Sequence, residues 1–411
     1  MDQAMTKLYM GLEVGTDDVM ITSYTNGMTE PETISRMGGS GNYKIPMALC
    51  KKRGIGQWFY GEEALALKDS AQGSFVTNLY ETALKREKVE VDREPYEAEE
   101  LLALFLRKVM MLPRKLGGER EIGRVVVALD KLNVENTRMM ERVLGKAGLT
   151  EAQYQLIDAK ESFLYYALNQ KKELCLHQIA HFDCTKDFLK FECITKNTKT
   201  TPQLIHIDQK DCGMLYGDKD KLFSEYITEC FSHRIISSVY LTGDGFDGDW
   251  MKESIKILCR GRKAYMGKNM VSKGACFAAM VKSGILSWDY AYIGENELKI
   301  NVSLKVRDHG EMAFYSLLSA GESWFESQGL CEVILDGEAE IDFWLQEPDS
   351  REAKIHSVKL EDFPQRENKT SRLRISAKPL SDTQIQVRIK DLGFGEIVKA
   401  SEKVWEYVIE L

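Results

Sequence analysis

The chain has 411 residues, of which 44% are hydrophobic and 29% charged, and a net charge of -8. It is too long for a single core, since single cores stop growing near ~250 to 300 residues, and too apolar for a disordered chain, so two folded domains are expected. The acidic balance excludes nucleic acid or an anionic membrane as the main partner, and no run approaches the ~18 apolar residues of a membrane span.

MDQAMTKLYMGLEVG is no export signal, lacking a basic start followed by an apolar stretch. The nine cysteines include no C-x-x-C pair, which argues against a disulfide framework or zinc ribbon and for a reducing, cytoplasmic setting.

Leu8 to Val14 reads as a strand, followed by VMITSY and the turn signal TNG, which makes a β-hairpin with its turn at Gly15. MGGSGNYKIPMAL reads as a surface connection, and GQWFYGEEALAL as a strand entering a helix. In EPYEAEELLALFLRKVMMLP, Leu101, Leu102, Phe105 and Val109 form one helical face that Pro113 brings to an end. EIGRVVVAL is a buried-type strand. Asn133 caps the helix NVENTRMMERVLGKAG, and YQLID and ESFLYYALNQ read as a strand and a helix.

The plan then repeats: strand LHQIAHFDC, hairpin partner FLKFECI, helix KLFSEYITECF, strand SSVYLTG and helix WMKESIKILC. Two copies of a hairpin sheet with crossover helices imply a pair of α/β lobes facing a cleft. From about residue 293, AEIDFWLQE, AKIHSVKL, SRLRISAK and TQIQVRIKD alternate apolar and polar residues, predicting an all-β sandwich. The expected domains are therefore 1–292 and 293–411. His177 and His181 lie four apart on a strand, a spacing that does not converge on one metal ion.

Taken in order, the Gly-Thr hairpin, VVVAL with its helix, LIDAKESFLYYAL, FDCTKDF and VYLTGDG resemble the nucleotide-binding domain of the seventy-kilodalton heat-shock chaperones. That domain belongs to the actin-like ATPase superfamily. CEVILDGEAEIDFWLQE, VKLEDFP and RLRISAKPLSDTQIQVRIKD are similar to the chaperones' peptide-binding β-sandwich. The resemblance implies a two-lobed, actin-like (ribonuclease H-like) α/β domain followed by an all-β sandwich.

It also implies which residues would meet a nucleotide. Gly15, Thr16 and Asp17 fall on the first phosphate turn, Asp183 and Lys186 on the second, and Gly243 and Gly245 on the adenosine loop; Glu13 and Asp183 would face magnesium. The departures from the family pattern are chemical. Asp17 replaces a threonine, and a like charge ~4 Å from a phosphate oxygen at an effective dielectric near 20 costs about 4 kcal/mol. FDCTKDF lacks the glycines that let backbone N–H groups close around phosphate, leaving Lys186 as a substitute cation.

Ala159-Lys160 stands where the family has a glutamate and a proline, and Leu129 where it has an allosteric proline. Only one helix fills the interval from about Gly213 to Ile236, where the family has an adenosine-clamping subdomain. In GDGFDGD, Asp244, Asp247 and Asp249 are expected to satisfy the first N–H groups of the helix that follows.

The tail departs too. KVRDHGEMAF and SAGESWFESQG are expected as loops with Arg307, Asp308, His309 and Glu311 in place of an apolar pocket lining, and no helical lid is expected after WEYVIEL. Trp324, Phe325 and Trp344 are expected in the core. The resulting reading is a non-catalytic, chaperone-like module that binds a protein or peptide, with ATP binding impaired or lost and no cofactor. The alternatives are a weak magnesium-dependent ATPase, in which Glu13, Asp17, Asp18 and Asp183 jointly hold the divalent cation, and a purely structural scaffold.

Overall fold

A computed structural model describes residues 7–35, 42–68, 73–113, 121–396 and 398–411. Of the surface connection expected at Met37 to Leu49, residues 37–41 lie outside them; in the rest Ile45–Pro46 pairs with Asp18-Val19, and Ile45, Met47, Ala48 and Leu49 are buried, so this part is not a surface loop. The chain forms two compact units, one of residues 1–196 and 207–288, the other of residues 197–206 and 289–411.

The first unit holds two sheets built to one plan. In the first sheet the strands Lys7–Val14, Asp18–Thr25 and Glu32–Thr33 form an antiparallel meander. Glu121–Leu129 and then Tyr154–Asp158 add in parallel on the far side of Lys7–Val14. In the second sheet Gln178–Thr185, Phe188–Asn197 and Gln203–Met214 are neighbours in that order. Ile236–Thr242 and Lys263–Met266 add in parallel beside Gln178–Thr185. A helix follows each added parallel strand: Val134–Lys146 and Ala159–Leu168 in the first copy, Glu253–Leu258 and Met270–Lys282 in the second.

Side chains alternate along a strand, and this sorts the faces. Leu8, Met10, Leu12 and Val14 enter a core with the helices Ala98–Met110 and Val134–Lys146. Glu99 fastens these two helices, accepting from Arg142 at 2.7 and 2.9 Å and from Lys146 at 2.9 Å. Tyr9 takes the other face, packing with Ala275, Ala278 and Ala279 of the helix Met270–Lys282. That helix also crosses Ala159–Leu168 closely. A Cβ on Gly274 would sit 1.8 Å from the Ser162 carbonyl oxygen, and Ser162 donates to the Val271 carbonyl at 2.6 Å.

Most of the expected elements coincide with observed ones, including the single helix Lys219–Cys230 between Met214 and Ile236. Asn133 accepts from the N–H groups of Glu135 and Asn136, the anticipated cap. The long strand Gln203–Met214, the strand Lys263–Met266 and the helix Met270–Lys282 are additional to the expected elements.

The second unit encloses one core between two four-stranded antiparallel sheets. One runs Glu311–Leu318, Asn301–Asp308, Glu340–Gln346, Ala353–Lys359; the other runs Gly329–Ile334, Arg372–Pro379, Gln384–Gly393, Val404–Glu410. Leu304, Phe343 and Val358 face Ile375, Val387 and Ile409. At one end Asp391, fully buried, accepts from both Arg366 terminal nitrogens at 2.9 and 2.8 Å and from the N–H groups of Gly393 and Ser401. Burial opposes ionisation of Asp391, yet these donors hold its carboxyl far below the usual range. Residues 197–206 belong to this unit, where Gln203–Ile205 pairs in parallel with Tyr290–Tyr292.

Two expectations for the tail change. KVRDHGEMAF is no loop: it is the tip of a hairpin whose two-residue turn, His309-Gly310, has both residues at positive φ. Trp324, half-buried, packs against the core as expected, whereas Phe325 and Trp344 are half-buried and outside that cluster. Trp324 and Phe325 stack on each other at 3.9 Å. Phe343 faces inward, so Trp344 points outward, where Phe314 meets it edge-on at 5.2 Å. Among the described residues no helix is long and apolar enough to cross a membrane.

Candidate functional site

The meander places Glu13 next to last on its strand, on the face of Tyr9 and Gly11 that packs on the helix Met270–Lys282. Its Oε2 accepts from the Ser272 N–H at 3.2 Å, one of the four N–H groups that a helix start leaves unpaired. A helix N-terminus favours the ionised carboxylate, but here the opposing influences win. Burial comes first, then the negative charge of Asp18, with Asp183 adding to it; against Lys44 and the Ser272 bond they push the Glu13 carboxyl up to about 8.

Asp18 is paired with Lys44 at 3.0 Å. Burial works against the Lys44 ammonium, and its bond to Asp18, with the charges of Glu13 and Asp244, overcomes this and raises its pKa. Glu13, Asp18, Asp183, Asp244 and Lys44 therefore share one electrostatic neighbourhood drawn from both sheets. Lys44, absent from the sequence reading, reaches it because Ile45-Pro46 pairs with Asp18-Val19.

Gly15, Thr16 and Asp17 form the hairpin turn. Gly15 N–H donates to the Asp18 carbonyl at 2.9 Å, Thr16 and Asp17 are exposed, and the Asp17 carbonyl accepts from Met47 N–H at 2.7 Å.

The second turn departs further from a phosphate cradle. Thr185 pairs with Phe188, leaving Lys186 and Asp187 as a two-residue turn at φ 52° and 63°. A side chain rarely adopts this conformation, and the surroundings hold it. Lys219 reaches Asp187 Oδ1 at 2.6 Å, Leu215 N–H donates to the Asp187 carbonyl at 2.8 Å, and Lys186 N–H donates to Asp244 Oδ1 at 3.0 Å. A carboxylate of the chain itself thus occupies a backbone donor of this turn.

Gly243 and Gly245 are required by packing. Gly243 has φ 97°, and a Cβ on it would lie 2.1 Å from the Cys184 carbonyl oxygen; one on Gly245 would lie 2.2 Å from Cys184 Sγ. The strand end at Cys184 fills the space over both. Asp183 is held beside it, accepting from Thr242 Oγ1 at 2.8 Å and Thr185 Oγ1 at 3.1 Å. Thr242 also contacts His181 Nε2 at 2.8 Å, and His181 Nδ1 lies 2.9 Å from Glu192. Burial opposes the Glu192 charge, and the His181 contact more than offsets it, holding the carboxyl low. His181, stacked on Phe163 at 4.1 Å, is thus one member of a chain of polar groups ending at Asp183. Odd positions of Gln178–Thr185 share a face, so the ingredients were visible; the pairing with Glu192 and Thr242 was not.

The expected capping by Asp244, Asp247 and Asp249 is overturned. The helix begins only at Glu253, and its free N–H groups at Glu253 and Ser254 donate to Asp220, from the helix Lys219–Cys230, at 2.8 and 2.9 Å. Burial alone would raise the Asp220 carboxyl; these donors and the Ser254 hydroxyl hold it down at about 2. Asp247 pairs instead with Lys268 at 2.6 Å. The N-cap position itself is Lys252, which makes no side-chain cap bond, and Asp244 is taken by the Lys186 N–H.

Ala159 opens its helix behind the cap Asp158, and Leu129 is buried at its strand end, so neither adds a charged group. Among the described residues no three or more His, Cys, Asp or Glu side chains are grouped to hold a metal ion. A cavity of about 300 Å³ lined by Arg107, Met110, Ile122 and Leu149 opens at the start of the strand Glu121–Leu129, the end opposite Glu13.

A family model described as "Family of unknown function (DUF5716) C-terminal" matches residues 30–295, and a second, "Domain of unknown function (DUF8552)", matches residues 297–411. No curated protein matches the chain. The first match spans more than half of the chain, which therefore belongs to the DUF5716 C-terminal family.

Proposed function

We propose that this chain is a non-catalytic, chaperone-like protein-binding module, working in the cytoplasm and built on a two-lobed actin-like domain whose nucleotide seat the chain has filled with its own groups. The repeated plan of the two sheets supports the actin-like reading. One observation carries the loss of nucleotide: the Lys186 N–H is bound to Asp244 at 3.0 Å within a two-residue turn. A triphosphate entering there would have to displace a carboxylate and then face Asp18, Asp183 and Asp244, a repulsion of about 4 kcal/mol per contact at ~4 Å. This repulsion weighs against a triphosphate that enters without a screening cation.

The binding surface lies on the tail. In the hairpin Asn301–Leu318, Met312 and Phe314 direct their backbone groups to the open edge, and their side chains are 55% and 59% exposed. An extended partner strand could pair there. Calorimetric titration with magnesium-ATP and with ADP is expected to show no low-micromolar binding; such binding defeats the proposal.

A second reading, a weak magnesium-dependent ATPase, is favoured by the crowding of Glu13, Asp18, Asp183 and Asp244, which a divalent cation would relieve. It requires magnesium-dependent turnover that Asp183→Ala abolishes. A purely structural scaffold is the third reading, and a peptide array showing no binding to the tail would favour it.

A further inference from the structure

We propose that Cys212 and Cys230 are a paired oxidation site at which a hydroperoxide closes an intramolecular disulfide. Cys212 lies on the strand Gln203–Met214, and Cys230 is the last residue of the helix Lys219–Cys230. Their Sγ atoms are 3.9 Å apart across a sequence separation of 18. Both residues are buried, so the sulfurs meet inside the core rather than by chance at the surface. A disulfide bond is about 2 Å long, so closure asks for a shift on the order of 2 Å shared between a strand and a helix end.

The pair is chemically asymmetric. The hydrogen bond with Cys212 favours the ionised form of Cys230; burial opposes it, and Lys210 and Arg234 add to the lowering. The same contact, with burial, pushes the Cys212 thiol up. Arg234 donates to the Cys230 carbonyl at 2.8 Å, which sets a cation beside that thiol and assigns Cys230 as the nucleophile and Cys212 as the resolving thiol.

The steps balance. The Cys230 thiolate attacks one peroxide oxygen, the O–O bond breaks, and hydroxide leaves, giving a sulfenic acid. The Cys212 sulfur then attacks the Cys230 sulfur, the S–O bond breaks, and the departing hydroxide takes the Cys212 proton as water. Two sulfurs are each oxidised by one electron, and the peroxide is reduced by two.

The bond would join the ends of segment 213–229. That segment supplies Leu215 and Lys219 to the Lys186-Asp187 turn and Asp220 to the helix start at Glu253. Disulfide formation would therefore fasten the supports of this turn, whatever the turn binds.

The test treats the full chain with hydrogen peroxide under native conditions, blocks remaining thiols after denaturation and maps peptides without reduction. The expected result is a peptide linked through Cys212 and Cys230, lost on adding dithiothreitol. In Cys212→Ala the sulfenic acid on Cys230 persists and is trapped by a dimedone probe. Recovery of both cysteines as blocked thiols while the exposed Cys259 is oxidised overturns the proposal, as does a link joining either one to a different cysteine. The mapping on the unsubstituted chain stands even if the alanine variant fails to fold.

Discussion

At Glu13 one carboxyl feels a helix N-terminus, an ammonium, two other carboxylates and burial, and burial prevails. The folded chain therefore holds a proton up to about pH 8 that the unfolded chain releases near the ordinary carboxylate value of 4.5. The contribution of Glu13 to stability is fully present below that lower value and is lost as pH rises toward 8. Glu13→Gln is expected to raise the unfolding midpoint at pH 8 by the equivalent of about 1 to 3 kcal/mol and to leave it unchanged near pH 4. Denaturant titrations at the two pH values check this, and equal effects at both would contradict it. Gly243 makes a second residue-scale case, joining a positive φ to backbone contact with Cys184. Gly243→Ala should cost about 2 to 4 kcal/mol, read in the same titrations.

Among the elements, the helix Glu253–Leu258 shows a cap supplied from elsewhere in the chain. Asp220 serves both of its first N–H groups, so Asp220→Ala is expected to destabilise the first unit by about 1 to 2 kcal/mol. Because the Asp220 carboxyl is depressed to about 2, its stabilisation is present above the ordinary aspartate value and lost as pH falls toward 2. The variant should accordingly converge with the parent chain in acid, as followed by circular dichroism.

The missed elements have a common cause. The helix Met270–Lys282 buries Ser272, Gly274, Ala275, Cys276, Ala278 and Ala279 against several neighbours, so no single apolar stripe marks it. The strand Gln203–Met214 reads as polar because most of its length is not fully buried. By contrast, Ala98–Met110 and Val134–Lys146 each bury one face and were legible from their periodicity.

For the molecule as a whole, the two units have separate cores, and Asp391 ties only the second. Asp391→Ala would leave Arg366 a buried, unpaired cation and is expected to cost about 3 to 5 kcal/mol in that unit. In scanning calorimetry the transition of the second unit should move down while that of the first keeps its position; equal movement of both would show that the units unfold as one.

The boundary near residue 290 was legible because helical periodicity gives way there to alternation, whereas the placement of residues 197–206 with the tail was not. Local pattern by itself determined the hairpins, the capped helices, the alternating strands of the tail and the absence of glycine from FDCTKDF, since each depends on neighbours in the chain. Only the tertiary structure decided that Asp244 meets Lys186, that Lys44 reaches Asp18, that Asp220 caps a distant helix and that Cys212 lies against Cys230. These are pairings of side chains with partners many residues away, and which donor meets which acceptor is settled by how the sheets and helices pack.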